Sequence, residues 1–224
     1  MGEWLQIEPA GSRAYLVLPD SGSGPGVLVL HAWWGLTPDF TDVCDRLAEA
    51  GFVALAPSLY PDGATTDSIA EAEALVARNR GVSDVVEKIV LAGAERLRAM
   101  PAVRGKEIGV IGFSLGANWA LHLSQVRPDD VDAVVAVYGT DGGDYSTARA
   151  AYLGHFGERD DFEPLEDVHA LEDRIRAAGC EVTFHTYPGA GHWFVEPNRP
   201  DAYVAAAAEL VWERTMAFLA ARLA

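Results

Sequence analysis

The fold is set by one stretch of sequence, IGVIGFSLGANWALHL, which runs from Ile108 to Leu123. The apolar run Ile108–Ile111 predicts a strand, and the residues from Leu115 onward predict a helix. Between them, GFSLG matches the pattern G-x-S-x-G in the strand–turn–helix setting of a nucleophile elbow, whose flanking glycines allow a very tight turn. The stretch therefore predicts that Ser114 is a nucleophile, strained and exposed at a helix N-terminus. The alternative is a Gly-Ser turn that only connects two elements.

Strand and helix patterns alternate on both sides of this stretch. The predicted strands are Ala14–Leu18, Gly26–Leu30, Phe52–Ala56, Ile108–Ile111, Val131–Tyr138, Tyr152–Phe156 and Glu181–Tyr187. The predicted helices are Thr41–Ala50, Asp67–Asn79, Val82–Met100, Leu115–Gln125, Pro164–Ala178 and Asp201–Leu223. Because parallel strands need crossovers of this length, the pattern predicts an α/β fold, with an open, mostly parallel sheet covered by helices on both faces. Residues 60–81 are too few for a cap domain, so we expect one domain over residues 1–224.

Acidic residues dominate the charge of the chain. The 224 residues include 33 Asp and Glu against 17 Lys and Arg, a formal net charge of −16. This charge argues against a nucleic-acid partner, which needs clustered Lys and Arg, and it repels anionic membrane surfaces. No signal-peptide pattern or membrane-span run is present, so we expect a cytoplasmic protein with no membrane partner. Cys44 and Cys180 lack metal-type spacing, and we expect free thiols, no metal and no cofactor.

A serine nucleophile needs a base within hydrogen-bond reach, and six histidines are available. His192 lies in the glycine-rich loop 188–194, directly after the last predicted strand, where side chains reach the carboxyl edge of the sheet. Ser114 also follows a strand and must lie at that edge. His31 is the competitor, but we assign it to a loop that supplies oxyanion contacts. We therefore predict His192 as the base.

The acid of such a site lies between the serine and the histidine in chain order. Asp160 comes shortly after the predicted strand Tyr152–Phe156, which puts it on a loop at the same sheet edge. We predict that Asp160 orients His192. The alternatives are a helix cap at this position and three other acids, Asp161, Asp141 and Asp144.

Backbone donors and aromatic side chains complete the predicted site. The loop His31-Ala-Trp-Trp-Gly-Leu36 follows a buried strand, and in enzymes with this elbow such a loop supplies one oxyanion N–H. The residue after the nucleophile supplies the other, so the donors would be Trp33 or Ala32 together with Leu115. Candidates for the pocket wall, with core packing as the alternative, are Trp33, Trp34, Tyr60, Tyr138, Phe162 and Trp193.

Six segments, taken in order, resemble the dienelactone hydrolase family, a cap-free branch of the α/β-hydrolases. They are HAWWGL (31–36), DVCDRLA (42–48), GFVALAP with Leu59-Tyr60 (51–60), GFSLG (112–116), FGERD (156–160) and YPGAGH (187–192). The resemblance extends from Pro25 to the C-terminus. It implies the α/β-hydrolase fold, a triad of Ser114, Asp160 and His192, and an oxyanion hole formed by the amides of Trp33 and Leu115.

Three positions depart from the best-known members of that family. Ser114 stands where they have cysteine, Ala32 where they have a glutamate that helps form the thiolate, and Glu196 where they have an arginine that pairs with a substrate carboxylate. The first two changes agree, because a serine activated by His192 needs no such glutamate. The cations that could replace the arginine are Arg199, Arg78 and Arg80.

These observations together predict a cofactor-independent serine hydrolase that cleaves carboxylic esters or lactones. Its partner is a small-molecule substrate, and the missing arginine predicts that neutral substrates are preferred over carboxylates. Amide hydrolysis by the same triad is one alternative. The rival from another class is a non-catalytic α/β-hydrolase-like protein that binds small molecules.

Overall fold

The computed structural model describes residues 2–8, 11–79 and 83–223. The strands are β1 (Glu3–Ile7), β2 (Ser12–Val17), β3 (Gly24–Leu30), β4 (Val53–Pro57), β5 (Val103–Phe113), β6 (Val131–Val137), β7 (Ala151–Gly157) and β8 (Val182–Tyr187). The helices are α1 (Pro38–Glu49), α2 (Ile69–Asn79), α3 (Ser83–Arg98), α4 (Leu115–Val126), α5 (Leu165–Ala177) and α6 (Ala205–Leu223).

The strands follow the order β1-β2-β4-β3-β5-β6-β7-β8 in an eight-stranded sheet. The pairs β3–β4, β6–β7 and β7–β8 are parallel, whereas β1–β2 and β2–β4 are antiparallel. The apolar strands β4 and β7 are buried along their whole length, as strands covered on both faces require. The predicted α/β fold with a mostly parallel sheet is confirmed.

Two compact units make up the chain, Met1–Val110 and Ile111–Ala224. In the first, α1 and α3 pack against β3 and β4. In the second, α4 and α6 pack against β6, and α5 packs against β8. The single domain over residues 1–224 stays a prediction. Among the described residues, no helix is both long enough and apolar enough to cross a membrane.

The elements match the sequence-based boundaries closely, with three differences. Strand β1 was not predicted, β5 begins five residues before Ile108, and α6 begins at Ala205 rather than at Asp201. At the carboxyl ends, β5 stops at Phe113 rather than Ile111, and β7 and β8 stop within one residue of the predicted positions. Those ends lead into the loops that carry the predicted triad.

Candidate active site

Ser114 lies at a sharp turn between β5 and α4. Its φ of 50° and ψ of −116° are sparsely populated for a residue with a side chain, and such strain is found mainly at functional sites. A Cβ atom on Gly112 would lie 2.2 Å from the Gly116 carbonyl oxygen, so only glycine allows the helix to approach the strand this closely. The first turn of α4 leaves the Leu115 N–H without an acceptor inside the helix. The tight turn therefore places the predicted nucleophile beside a main-chain donor.

His192 lies in the loop that follows β8 and contacts both other members of the predicted triad. Its Nε2 is 3.0 Å from Ser114 Oγ, and its Nδ1 is 2.7 Å from Asp160 Oδ2. The side chains of His192 and Asp160 are 5% and 0% exposed, so water barely competes for the bond between them. The structure thus brings the three predicted side chains together in one hydrogen-bonded series.

The environment of Asp160 determines which ring nitrogen of His192 carries a proton. Asp160 Oδ1 accepts the main-chain N–H groups of Phe162 at 2.9 Å and of Glu163 at 3.1 Å. The carboxylate is therefore an acceptor at both oxygens, and His192 Nδ1 must be the donor to Oδ2. The remaining nitrogen, Nε2, is then free of a proton in the neutral ring and accepts the hydroxyl of Ser114.

The loops that carry the acid and the base are bonded to each other directly. The main-chain N–H of Arg159 donates to the Ala190 carbonyl at 2.8 Å, and that of Glu158 donates to the Tyr187 carbonyl at 3.1 Å. The Glu158 carboxylate in turn accepts the Gly189 N–H at 2.9 Å. These three bonds fix the separation between the two loops.

The three rival acids and the rival histidine, His31, lie in other environments. Asp161 is exposed, Asp141 Oδ2 accepts Gln125 Nε2 at 2.7 Å, and Asp144 is an exposed turn residue whose Oδ1 accepts the Ser146 N–H. His31 lies in the first unit, where its Nε2 accepts the Leu59 N–H at 2.8 Å and burial lowers its pKa to about 4. His31 Nδ1 also donates to the Ala32 carbonyl at 2.6 Å, so the neutral ring is held at both nitrogens and is a structural residue of its loop.

Three of the aromatic residues predicted for the pocket surround the His192 ring. The centroids of Tyr138, Phe162 and Trp193 lie 4.8, 4.9 and 5.2 Å from that of His192. Tyr138 is fully buried, whereas Phe162 is 55% exposed. An apolar ring left in water beside the predicted base is suited to contact a small molecule. The role of these residues as a pocket wall stays a prediction.

The other predicted pocket residues, with Trp33, form a cluster in the first unit. Trp33 and Trp34 pack edge to face with centroids 5.2 Å apart, and the Tyr60 hydroxyl donates to the Trp33 carbonyl at 2.7 Å. Trp34 and Tyr60 are 0% and 1% exposed. This packing orders the loop that follows β3, from which we predict an oxyanion donor.

Two buried or half-buried carboxyl groups near the triad make hydrogen bonds that the sequence did not predict. The Tyr138 hydroxyl donates to Glu196 Oε1 at 2.7 Å, and Glu196 is 3% exposed. The Thr140 hydroxyl donates to Glu163 Oε2 at 2.7 Å. Glu196 had been singled out only as a departure from a family pattern. The position of Glu163, three residues after Asp160, was the only available signal for its role.

The cations and thiols that the sequence singled out are placed as follows. Arg78 pairs with Asp62 at 2.7 Å on an exposed surface, Arg199 donates its main-chain N–H to the Glu196 carbonyl, and Arg80 lies outside the described residues. Cys44 and Cys180 are both free, the first buried and the second half-buried. Over the part of the chain that the structure describes, no cluster of His, Cys, Asp and Glu side chains is arranged to hold a metal ion.

Comparisons with known proteins show which family and which solved structures the chain is similar to. The sequence profile of the dienelactone hydrolase family matches residues 12–223. Protein usf from Aquifex pyrophilus is 31% identical over 229 residues, which cover 97% of each chain. A protein from Aquifex aeolicus named "Putative carboxymethylenebutenolidase" is 30% identical over 227 residues, again 97% of each chain. A solved dienelactone hydrolase-like promiscuous phosphotriesterase from metagenomic libraries has a TM-score of 0.89 at 22% identity, over 100% of this chain and 99% of that chain, and so shares the fold.

Proposed function

The chain belongs to the dienelactone hydrolase family, and from that premise we propose that it is a serine hydrolase that cleaves carboxylic esters or lactones through an acyl-enzyme on Ser114. The observation that carries the proposal is the unbroken series Asp160 Oδ2–His192–Ser114 Oγ, with bonds of 2.7 and 3.0 Å. A serine hydroxyl becomes an effective nucleophile only when a base this close accepts its proton.

In the proposed reaction, Ser114 Oγ attacks the substrate carbonyl while its proton passes to His192 Nε2. The tetrahedral oxyanion accepts the Leu115 N–H at the start of α4, where the helix dipole also favours negative charge. The second donor stays a prediction from the sequence, the amide of Trp33. His192 then protonates the leaving oxygen, the carbon–oxygen bond breaks, and the acyl group remains on Ser114.

Deacylation repeats these steps with water as the nucleophile. His192 Nε2 takes a proton from water, the hydroxide attacks the acyl-enzyme, and Ser114 leaves with the proton that His192 returns. Asp160 accepts Nδ1–H throughout and stabilises the imidazolium that forms twice per turnover. For a lactone, the leaving oxygen stays attached to the acyl group, so one hydroxy acid is the product.

The buried carboxyl group of Glu196 supports neutral substrates. It is 3% exposed and hydrogen-bonded to Tyr138, whose ring packs on His192. Glu196 stands where the best-known members of the family have an arginine that pairs with a substrate carboxylate, and its own carboxyl group offers such a substrate no positive charge. We therefore propose small neutral esters and lactones as the substrate class.

A fluorophosphonate probe tests the proposal directly. It should label the wild-type protein once, with the adduct mapped by peptide mass to Ser114, and a short-chain p-nitrophenyl ester should be hydrolysed. Ser114→Ala should abolish labelling and reduce kcat by several orders of magnitude, because triad members act as a unit. Ser146→Ala, at an exposed serine of the same unit, should match the wild type. Turnover that survives Ser114→Ala, or no turnover by the wild type, would contradict the proposal and favour a binding protein.

A further inference from the structure

A second series of hydrogen bonds leads away from the triad on the other side of Asp160. Glu163 donates its main-chain N–H to Asp160 Oδ1 at 3.1 Å. Its carboxyl oxygen Oε2 accepts the Thr140 hydroxyl at 2.7 Å, and the Thr140 carbonyl accepts the side-chain amide of Asn118. Asn118 lies one turn along α4, and its main-chain N–H donates to the Ser114 carbonyl at 3.3 Å.

This series closes a ring with the triad. Starting from Ser114, the bonds pass through His192 and Asp160, then through Glu163 and Thr140, and return through Asn118 to the helix that carries Ser114. The acid is therefore connected to the nucleophile by two routes, one through the base and one through Glu163. Triad geometry is sensitive to displacements of well under 1 Å, and the second route restrains it independently of the histidine.

Glu163 also brings charge to the acid side of the triad. Its half-buried carboxyl group lies in the electrostatic field of Asp160 in its own loop and of Asp167 in α5. It also accepts hydrogen bonds from Thr140, which follows β6. Burial raises the pKa of Glu163 to about 7, the charges of Asp160 and Asp167 act in the same direction, and the hydrogen bonds from Thr140 oppose them. Above neutral pH, the ionised carboxylate places a second negative charge behind the pair of Asp160 and His192.

We propose that Glu163 is a positioning residue for the triad, which holds Asp160 in place through Thr140 and favours the imidazolium form of His192 by its charge. The inference rests on the proposed function, since it assigns Glu163 a part in activating Ser114. A negative charge near an imidazolium stabilises it, and the imidazolium is the form of His192 that develops in the transition state. Glu163 acts only through Asp160, and it touches no reacting atom.

Two measurements on the full chain test this role. The first is the titration of the His192 ring by nitrogen NMR, with its resonances assigned by their absence in His192→Gln. The second is the rate of fluorophosphonate labelling against pH. Glu163→Gln keeps an acceptor for Thr140 but removes the charge. In this variant the titration midpoint of the His192 ring should therefore move to lower pH by about half a pH unit. Its labelling rate at high pH should fall less than about fivefold.

Glu163→Ala removes the tether as well as the charge, so its labelling rate at high pH should fall at least about tenfold. Thr140→Val, which breaks the same bond from the other side, should cause a similar fall. The double variant Glu163→Ala with Thr140→Val should label no more slowly than Glu163→Ala alone. Glu166→Gln, the same change at an exposed glutamate in α5, is the matched control and should leave both measurements unchanged.

The outcomes separate the two proposals. A wild-type titration midpoint in Glu163→Gln, or a wild-type labelling rate in Glu163→Ala, would overturn the role of Glu163. The NMR titration does not depend on catalysis. If Ser114 failed to label while the midpoint still moved, the proposed function would fail and the coupling of Glu163 to His192 would stand.

Discussion

Asp160→Asn should remove nearly all activity by reversing the proton positions on His192, without disturbing the fold. In the wild type, Asp160 Oδ1 accepts two main-chain N–H groups. The oxygen of an asparagine would stay with these two donors, because turning its NH2 group toward them would lose two hydrogen bonds, each worth about 1 kcal/mol or more. The NH2 group would then point at His192 Nδ1, which must become an acceptor.

The neutral ring would consequently carry its proton on Nε2, which faces Ser114 at 3.0 Å and could no longer accept the hydroxyl. Loss of the correct tautomer costs about 10⁴ in kcat in serine proteases, and we expect a loss of about 10³ to 10⁴ here, or about 4 to 5.5 kcal/mol of transition-state stabilisation. The assay is kcat and KM for a short-chain p-nitrophenyl ester at pH 8. KM should change little, because the Asp160 side chain is 0% exposed and a substrate cannot reach it.

Asp161→Asn is the matched control, since Asp161 is the exposed neighbour, and it should keep activity within about twofold of the wild type. A thermal melt should show that both variants are folded. A loss smaller than tenfold in Asp160→Asn would refute the tautomer argument. A large loss in Asp161→Asn alone would show that Asp161, and not Asp160, is the acid.

Three further predictions concern stability and substrate choice. Burial lowers the pKa of His31 and His155 to about 4 and about 3, so between pH 6.5 and about pH 4 only the unfolded chain takes up these protons. The free energy of unfolding, measured in urea, should therefore fall by about 2 kcal/mol per histidine from pH 7 to pH 5, and His155→Gln should remove about half of that fall; an unchanged pH dependence would contradict the assignment. Phe162→Ala should lower kcat/KM for aryl esters about three- to tenfold and leave methyl esters unchanged, because it removes an aromatic ring 4.9 Å from the ring of His192, which protonates the leaving oxygen in the proposed reaction; equal effects on both would point to a structural role. Glu196→Gln should raise kcat/KM for a carboxylate-bearing ester relative to its neutral analogue about three- to tenfold, and an unchanged ratio would show that this charge does not select substrates.

Elements with a strong local pattern could be predicted from the sequence, and those that depend on distant partners could not. The strand–turn–helix around Ser114 combines an apolar run, two glycines and a helical pattern within 16 residues. Strand β1, by contrast, is largely exposed and exists because it pairs with β2. The first five residues of β5 are exposed or half-exposed, so hydrophobic patterning did not reveal them. Helix α6 begins late because the preceding residues form turns, in which Tyr203 bonds to the Arg199 carbonyl.

The same distinction applies within the candidate site. Asp160 and His192 could be predicted because parallel strands end at one edge of the sheet, and each residue closely follows such an end. Glu163 and Thr140 carry no comparable signal, because their hydrogen-bond partners are distant in the sequence. Asn118 and Thr140 are 22 positions apart, and Thr140 and Glu163 are 23 positions apart. Only the folded arrangement of α4 and the two loops brings these polar groups together.

The direct bonds between the loop of Asp160 and the loop of His192 have a consequence for how the site responds to heat. Arg159 and Glu158 hold Ala190, Tyr187 and Gly189 at fixed distances, so the acid and the base move as one rigid body. Thermal displacement then falls on the two connections between that body and helix α4, which are the 3.0 Å contact of His192 with Ser114 and the longer series through Glu163, Thr140 and Asn118. We expect warming to loosen the nucleophile from its base well before the base separates from its acid, so reversible thermal inactivation should precede any change in the His192–Asp160 proton resonance.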